Sequence, residues 1–250
     1  MKTIVLGALL CLFLSSKLWA QEIQFNTDRP GIFYTATTVD KGHLQLETGL
    51  GLDLLINTNS WTFLETDLRY GLLKNFELRS GFQFSGLKQS NAAELALSSM
   101  LKAGFKWQIV DKKVQLAYLA EVLVPIHPAI VNAHHLLQMS HGVGKKVSFN
   151  YLLLHRYDFS RLGAEHYGGD FQFAYTVRLN LLPRWSFFAE LSAQWSSLQT
   201  SQIAVLYDTG LTFSLKDNLQ FDIFFGHGIN YKQGTYGLGI CWLPPRTNKK

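Results

Sequence analysis

The fold is decided by residues 64–84, which read LETDLRYGLLKNFELRSGFQF. Apolar residues recur at alternate positions on both sides of a short polar junction, Leu73-Lys74-Asn75. Polar and charged residues fill the positions between them, for example Asp67 and Arg69 before the junction and Glu77 after it. Successive side chains of a strand point to opposite faces of its sheet, so this stretch predicts two amphipathic strands joined by a tight turn.

The same rhythm runs through the chain after residue 40, in about a dozen alternating segments. Every second junction is short: Leu73-Lys74-Asn75, Val110-Asp111-Lys112-Lys113, Gly144-Lys145-Lys146, Leu182-Pro183-Arg184 and Lys216-Asp217-Asn218. Longer connections are expected near residues 55–60, 86–92, 125–133, 158–168, 197–201 and 230–234. Bacterial barrels show this asymmetry between periplasmic turns and outer loops. The pattern predicts an all-β, twelve-stranded antiparallel transmembrane β-barrel with short periplasmic turns and longer extracellular loops.

Composition agrees with a barrel and argues against other classes. The 250 residues are 14% aromatic and only 16% charged. A helical membrane protein needs runs of roughly 18 apolar residues, and the chain after residue 20 has none. A soluble β-sandwich also alternates, but its strands average about five or six residues, whereas these runs often reach ten. The formal charge of +5 is not gathered into one basic stripe, so no nucleic-acid partner is predicted.

The chain divides into four predicted parts. Residues 1–20 resemble a secretory signal peptide, with an apolar run from Ile4 to Leu14 and a cleavable end before Gln21; an uncleaved anchor is the alternative. Residues 21–41 form a periplasmic leader that we expect to act as a plug, with a disordered leader as the alternative. Residues 42–243 form the outer-membrane barrel, and residues 244–250 are a C-terminal tail. Without the signal, Cys241 is the sole cysteine, which excludes an intramolecular disulfide.

The period of two places the apolar set against lipid and the polar set in the lumen. The charged residues predicted to line the lumen or its constriction are Asp28, Arg29, Glu47, Glu65, Asp67, Arg69, Glu77, Arg79, Lys102, Glu121, Arg178 and Glu190. Folding the fourth and fifth strands about residues 110–113 pairs Trp107 with Leu116 and Lys102 with Glu121. Folding the eighth and ninth about Pro183 sets Arg178 diagonal to Glu190. These charges either hold the interior together or contact a solute.

Arg29 lies before the first strand, in a turn whose charges do not suit lipid. We expect it to fold into the periplasmic mouth and pair with Glu47, Glu65 or Glu77, which would narrow the pore.

The segment after the signal also carries a recognisable motif. It reads Thr27-Asp28-Arg29-Pro30, then Thr37-Thr38-Val39, Gly42 and Gln45-Leu46-Glu47-Thr48-Gly49. This resembles the outer-membrane family named for the meta-pathway of phenol degradation, and the resemblance extends to the glycine-rich final strand at residues 236–240. It implies a small transport barrel. Trp242 is followed by eight further residues, whereas barrels of this class commonly end on the aromatic.

The predicted function is a channel or transporter of the bacterial outer membrane that admits small, hydrophobic or aromatic molecules by diffusion. Its expected partners are outer-membrane lipid, the barrel-assembly machinery and a small-molecule solute; no cofactor is predicted. A lipid hydrolase is one alternative, but no histidine of the strands is followed two residues later by serine. A non-transporting structural barrel is another.

Histidines near the outer loops also suggest metal ligation: His127, His134, His135, His155 and His166. The hairpin about residue 145 pairs His135 with His155. Solvated or interfacial histidines are the alternative, because no carboxylate or cysteine completes a familiar ligand spacing.

Overall fold

The computed structural model describes residues 27–29, 31–32, 34–126, 131–158, 169–196 and 203–245. Twelve antiparallel strands form a closed barrel in which each strand pairs with its sequence neighbours and the first pairs with the last, as predicted. The strands are β1 (Leu44–Leu55), β2 (Thr58–Leu73), β3 (Phe76–Gln89), β4 (Ala96–Asp111), β5 (Val114–Pro125), β6 (Asn132–Val143), β7 (Val147–Asp158), β8 (Gly169–Leu182), β9 (Trp185–Ser196), β10 (Ala204–Lys216), β11 (Leu219–Gly228) and β12 (Gln233–Trp242). The predicted signal peptide and residues 246–250 of the predicted tail lie outside the described residues.

The connections follow the predicted asymmetry, with one exception. All five short junctions are tight turns, and Asn75 adopts a positive φ of 65° in the first of them. The longer loop expected at residues 55–60 is wrong, because only Ile56 and Asn57 separate β1 from β2. The polar residues there belong to the sheet, where Thr58 faces Gln89. The connections predicted near 158–168 and 197–201 lie almost wholly outside the described residues.

The exterior of the barrel is apolar. Leucine, isoleucine, valine and aromatic side chains point outward on every strand, and Leu101 and Ile223 remain 50% and 58% exposed. Exposed Trp107, Trp185 and Trp242 lie near the turn end, where an interfacial aromatic girdle is expected. Such a surface requires lipid, and a closed sheet satisfies its backbone polar groups there. This architecture resides in the outer membrane, as predicted.

No helix among the described residues is long and apolar enough to cross a membrane.

The lumen has two unlike walls, which the sequence pattern did not predict. On β1–β4 the buried inward side chains are mainly charged. On β5–β8 they include an apolar cluster: Leu119, Leu136, Leu152, Leu154 and Ala174. The expectation that polar residues alone line the lumen is therefore wrong for this second wall. Its strands carry apolar residues on both faces, and alternation cannot then distinguish lumen from lipid.

The register contradicts two predicted pairs and confirms two. Trp107 faces Tyr118 rather than Leu116, and Lys102 faces Leu123 rather than Glu121. The physical reason is the position of the turn: β4 continues to Asp111 and β5 begins at Val114, so the hairpin folds about residues 112–113 and each partner lies two residues further along β5 than predicted.

On β8 and β9, Thr176 faces Glu190, so Arg178 is diagonal to Glu190 as predicted. His135 faces His155, also as predicted.

Candidate functional site: a chain segment inside the lumen

The described residues between 27 and 40, here called the N-terminal segment, lie inside the barrel. Gly42, with a φ of +77°, and a hydrogen bond from His43 N to the Asp40 carbonyl turn the chain back from the start of β1 into the lumen. Lys41 bridges to Gly71 near the turn end of β2. Thr27 and Ala36 are fully buried. The segment therefore enters from the end of the barrel that carries the short turns.

Side chains from several strands hold the backbone of the segment. Its amide groups donate to acceptors on β1, β9, β6 and β3 as follows: Asp28 N to Glu47 Oε1 (3.2 Å), Ile32 N to Glu190 Oε1 (2.9 Å), Ala36 N to Ser140 Oγ (3.1 Å) and Val39 N to Glu77 Oε2 (2.7 Å). These strands lie around the barrel circumference. The segment thus spans the lumen instead of lining one side of it.

Asp28 is the charged anchor of the segment. Lys106 Nζ donates to both of its carboxylate oxygens, at 2.9 and 2.7 Å, and Arg79 Nη1 bonds the same carboxylate. Arg69 Nη1 lies 3.6 Å from Asp28 Oδ2. Burial alone would raise the pKa of Asp28, but the positive charges of Arg69, Lys106 and Arg79 outweigh it and hold the pKa well below its usual range.

Further carboxylates balance these cations. Arg69 bonds Glu77 Oε1 at 2.9 Å and Glu47 Oε1 at 2.7 Å, and Arg79 Nε lies 2.8 Å from Glu121 Oε1. The network is buried, so the removal of one member would leave an uncompensated charge in a poorly solvated place.

Arg29 makes the second charged contact of the segment. Its guanidinium lies 3.6 Å from Glu65 Oε2 and 3.6 Å from Asp222 Oδ2, and it donates to the Leu238 carbonyl at 3.3 Å. Glu65 was one of its three predicted partners. The space for the guanidinium exists because β1 and β12 carry glycines here: a Cβ on Gly49 would lie 2.1 Å from Arg29 Nη2.

The segment contacts the apolar wall of the lumen as well as the charged wall. Ile32 and Tyr34 pack against the cluster on β5–β8, and Arg79 lies 5.7 Å from the centre of the Tyr34 ring. Burial raises the pKa of the Tyr34 hydroxyl, and the nearby Glu121 carboxylate adds to this shift. Asp28 thus contacts the charged strands, whereas Ile32 and Tyr34 contact the apolar wall.

The structure places the predicted lumen residues of the strands on inward faces, but it redistributes their partners. Lys102 lies 2.8 Å from both Glu65 Oε1 and Asp67 Oδ1, not beside Glu121. Arg178 and Glu190 lie on the β8–β9 side, away from the Asp28 anchor. The predicted set omitted Lys106 and Asp222. Lys106 shares the inward face of β4 with Lys102, so alternation could have found it, whereas nothing local in the sequence links Asp222 to Arg29.

A cavity of about 160 Å³ remains beside the segment, toward the outer loops. Arg29 and Gly31 form its floor. Its walls come from β1, β2, β11 and β12 and include Asp53, Thr62, Glu65, Phe224 and Thr235. The cavity is large enough for a small solute.

The described residues show no side-chain arrangement that suits the lipid-hydrolase or the metal-binding alternative. Ser140 lies in the lumen, where it bonds Asn150, whereas His141 stacks on Phe149 and Tyr151. These two residues therefore do not form a nucleophile and base.

The described histidines near the outer loops make separate contacts and do not form one group of metal ligands. His134 accepts a hydrogen bond from Arg156 at 3.0 Å. His135 and His155 stack with their ring centroids 6.3 Å apart. No group of three or more potential metal ligands occurs in the described part of the chain, and His127 and His166 lie outside it.

Solved structures share this fold at low sequence identity. An outer-membrane channel from Pseudomonas putida F1 superposes with a TM-score of 0.65 and 10% identity, covering 86% of this chain and 99% of that one. The KdgM porin gives 0.55 and 10%, covering 78% and 98%. The translocator domain of the autotransporter NalP from Neisseria meningitidis gives 0.54 and 11%, covering 82% and 90%.

The fold is that of outer-membrane channels. At these identities the likeness extends to the fold alone, and no family model and no curated protein sequence matches the chain.

Proposed function

We propose that this protein is an outer-membrane channel for small molecules and that its own N-terminal segment closes the lumen. The observation that carries the proposal is the segment itself, which crosses the lumen and hydrogen bonds to β1, β3, β6 and β9. Similar structures carry the names of a porin and of an outer-membrane channel, which supports a transport role. The opening motif, which resembles the meta-pathway family, contains Asp28 and Arg29, the two charged contacts of the segment.

The two walls of the lumen suggest the kind of solute. A segment displaced from the lumen would uncover charged β2–β4 on one side and apolar Leu119, Leu136 and Leu152 on the other. A small molecule with an apolar or aromatic body could contact the apolar wall while its polar group stays near the charged wall. The cavity beside Arg29, with Phe224 and two threonines, offers the same combination on a smaller scale.

The experiment is single-channel recording of the refolded mature chain in planar bilayers, beside a variant that lacks residues 21–40. Removal of the segment should produce larger or more frequent conductance steps, because the lumen is no longer filled. A second variant that lacks only residues 246–250 serves as the control deletion and should behave as the parent chain does. Equal conductance in all three chains would contradict closure by the segment, and silence in all three would contradict a channel.

A further inference from the structure

Two carboxyl groups meet beneath the segment, on the opposite side of the lumen from the Asp28 anchor. Glu190 on β9 and Asp208 on β10 are direct cross-strand partners. They are only 4% and 2% exposed. A Cβ placed on Gly31 would lie 3.3 Å from Asp208 Oδ1 and 3.5 Å from Glu190 Oε1, so both oxygens border the same residue of the segment. The segment therefore covers a pair of adjacent, buried carboxyl groups.

The hydrogen bonds distinguish the two groups. Glu190 accepts from Ile32 N at 2.9 Å and from Thr176 Oγ1 at 2.6 Å, which favours its ionised form. Asp208 Oδ1 has no hydrogen-bond partner in the described part of the chain, although it is buried. A buried carboxyl oxygen without a donor indicates that Asp208 is the member that carries a proton.

The surrounding charged groups come from three directions. Arg178 lies on β8, Asp222 on β11, and Asp28 and Arg29 in the segment. Asp28 is held by the cations of β2–β4, and Arg29 lies 3.6 Å from both Glu65 and Asp222. Arg29 and the cations of β2–β4 are thus engaged with other carboxylates. Two like charges side by side in a buried site are strongly unfavourable, and such carboxyl pairs share one proton.

We propose that Glu190 and Asp208 share one proton while the N-terminal segment fills the lumen, and that this proton is released when the segment leaves. The inference rests on the proposed closure of the lumen by the segment. In an open, hydrated lumen both carboxyl groups meet water and ionise as ordinary acids do. The closed form then binds one more proton than the open form near neutral pH.

Linkage gives the direction and size of the effect. Where the closed form keeps the shared proton and the open form does not, each pH unit favours opening by up to tenfold. Alkaline conditions therefore open the channel. The Asp28 carboxylate stays ionised near neutral and alkaline pH, so it does not itself make opening depend on pH there.

The test is the open probability of the full mature chain between pH 6 and pH 9, beside Asp208→Asn and Asp170→Asn. The parent chain should open more often as pH rises, by up to tenfold per unit. Asp208→Asn should lose this dependence, because an amide donates to Glu190 at every pH. Asp170→Asn, which removes a half-buried carboxyl group near the start of β8, should keep it. Equal slopes in the parent chain and Asp208→Asn would overturn the shared proton.

Two further measurements keep the outcomes separate. The variant that lacks residues 21–40 should be open and insensitive to pH; if it conducts as the parent chain does, the proposed function itself fails. If it opens but the parent slope is unaffected by Asp208→Asn, only the shared proton fails. Infrared spectroscopy should detect a protonated carboxyl group in the closed parent chain and not in Asp208→Asn. Absence of that band from the parent chain would also overturn the proposal.

Discussion

Asp28→Asn should release the N-terminal segment. The substitution removes the negative charge that Arg79, Lys106 and Arg69 surround, and leaves three cations in the buried network with fewer carboxylates. Breaking one partner of a buried ion pair costs about 3–5 kcal/mol. Part of this cost disappears if the segment leaves and water enters, so the change favours the open state. Even about 3 kcal/mol corresponds to a shift of more than about a hundredfold toward opening.

The assay combines conductance with labelling of the native thiol at constant pH. Cys241 is fully buried on β12 beside Thr27 of the segment, so a thiol reagent should reach it only after the segment moves. Asp28→Asn should raise both the open probability and the labelling rate. Thr37→Ala is the matched control, because the Thr37 side chain bonds only to Thr35 within the described residues. Unchanged labelling and conductance in Asp28→Asn would refute the anchoring role.

Three further results are expected. Gly49→Ala should increase opening at least tenfold, since the new Cβ would lie 2.1 Å from Arg29 Nη2. Gly51→Ala is the control and should be tolerated, because the nearest atom to its new Cβ lies at 3.5 Å. Equal conductance of the two variants would argue against Arg29 as a contact of the closed state. Acid should not weaken the Asp28 anchor until the pH falls below about 4. The reason is that a pKa lowered in the folded state gives stability that is present above the unfolded-state pKa and is lost on further acidification. Below that pH, acid should open the parent chain but should cause no such change in Asp28→Asn. In the chain without residues 21–40, Leu136→Asn should slow the entry of uncharged aromatic solutes relative to sugars in liposome swelling, and an unaltered ratio would argue against the apolar wall as a solute contact.

The barrel could be predicted because its information is local. Residues 64–84 alone show the period of two, the tight turn and the charged inward face, and twelve such segments close a sheet. Register was less secure. The hairpin between β4 and β5 folds about residues 112–113, which places Leu123 instead of Glu121 opposite Lys102, and a shift by two residues leaves the alternation unchanged.

The apolar wall and the segment contacts required the structure. Leu119, Leu136 and Leu152 lie in strands that are apolar on both faces, so their inward direction has no signature in composition. Arg29 and Asp222 are far apart in the sequence and come together only because the barrel closes. The sequence identified most of the charged residues of the lumen but not which of them hold the segment in place.

The most direct test of closure by the segment is a reversible tether. Thr27→Cys places a second thiol beside Cys241 inside the lumen. In the Asp28→Asn background the reduced protein should conduct, oxidation should close it, and a reductant should restore conduction. The same openings before and after oxidation, with the disulfide verified by mass spectrometry, would contradict the account.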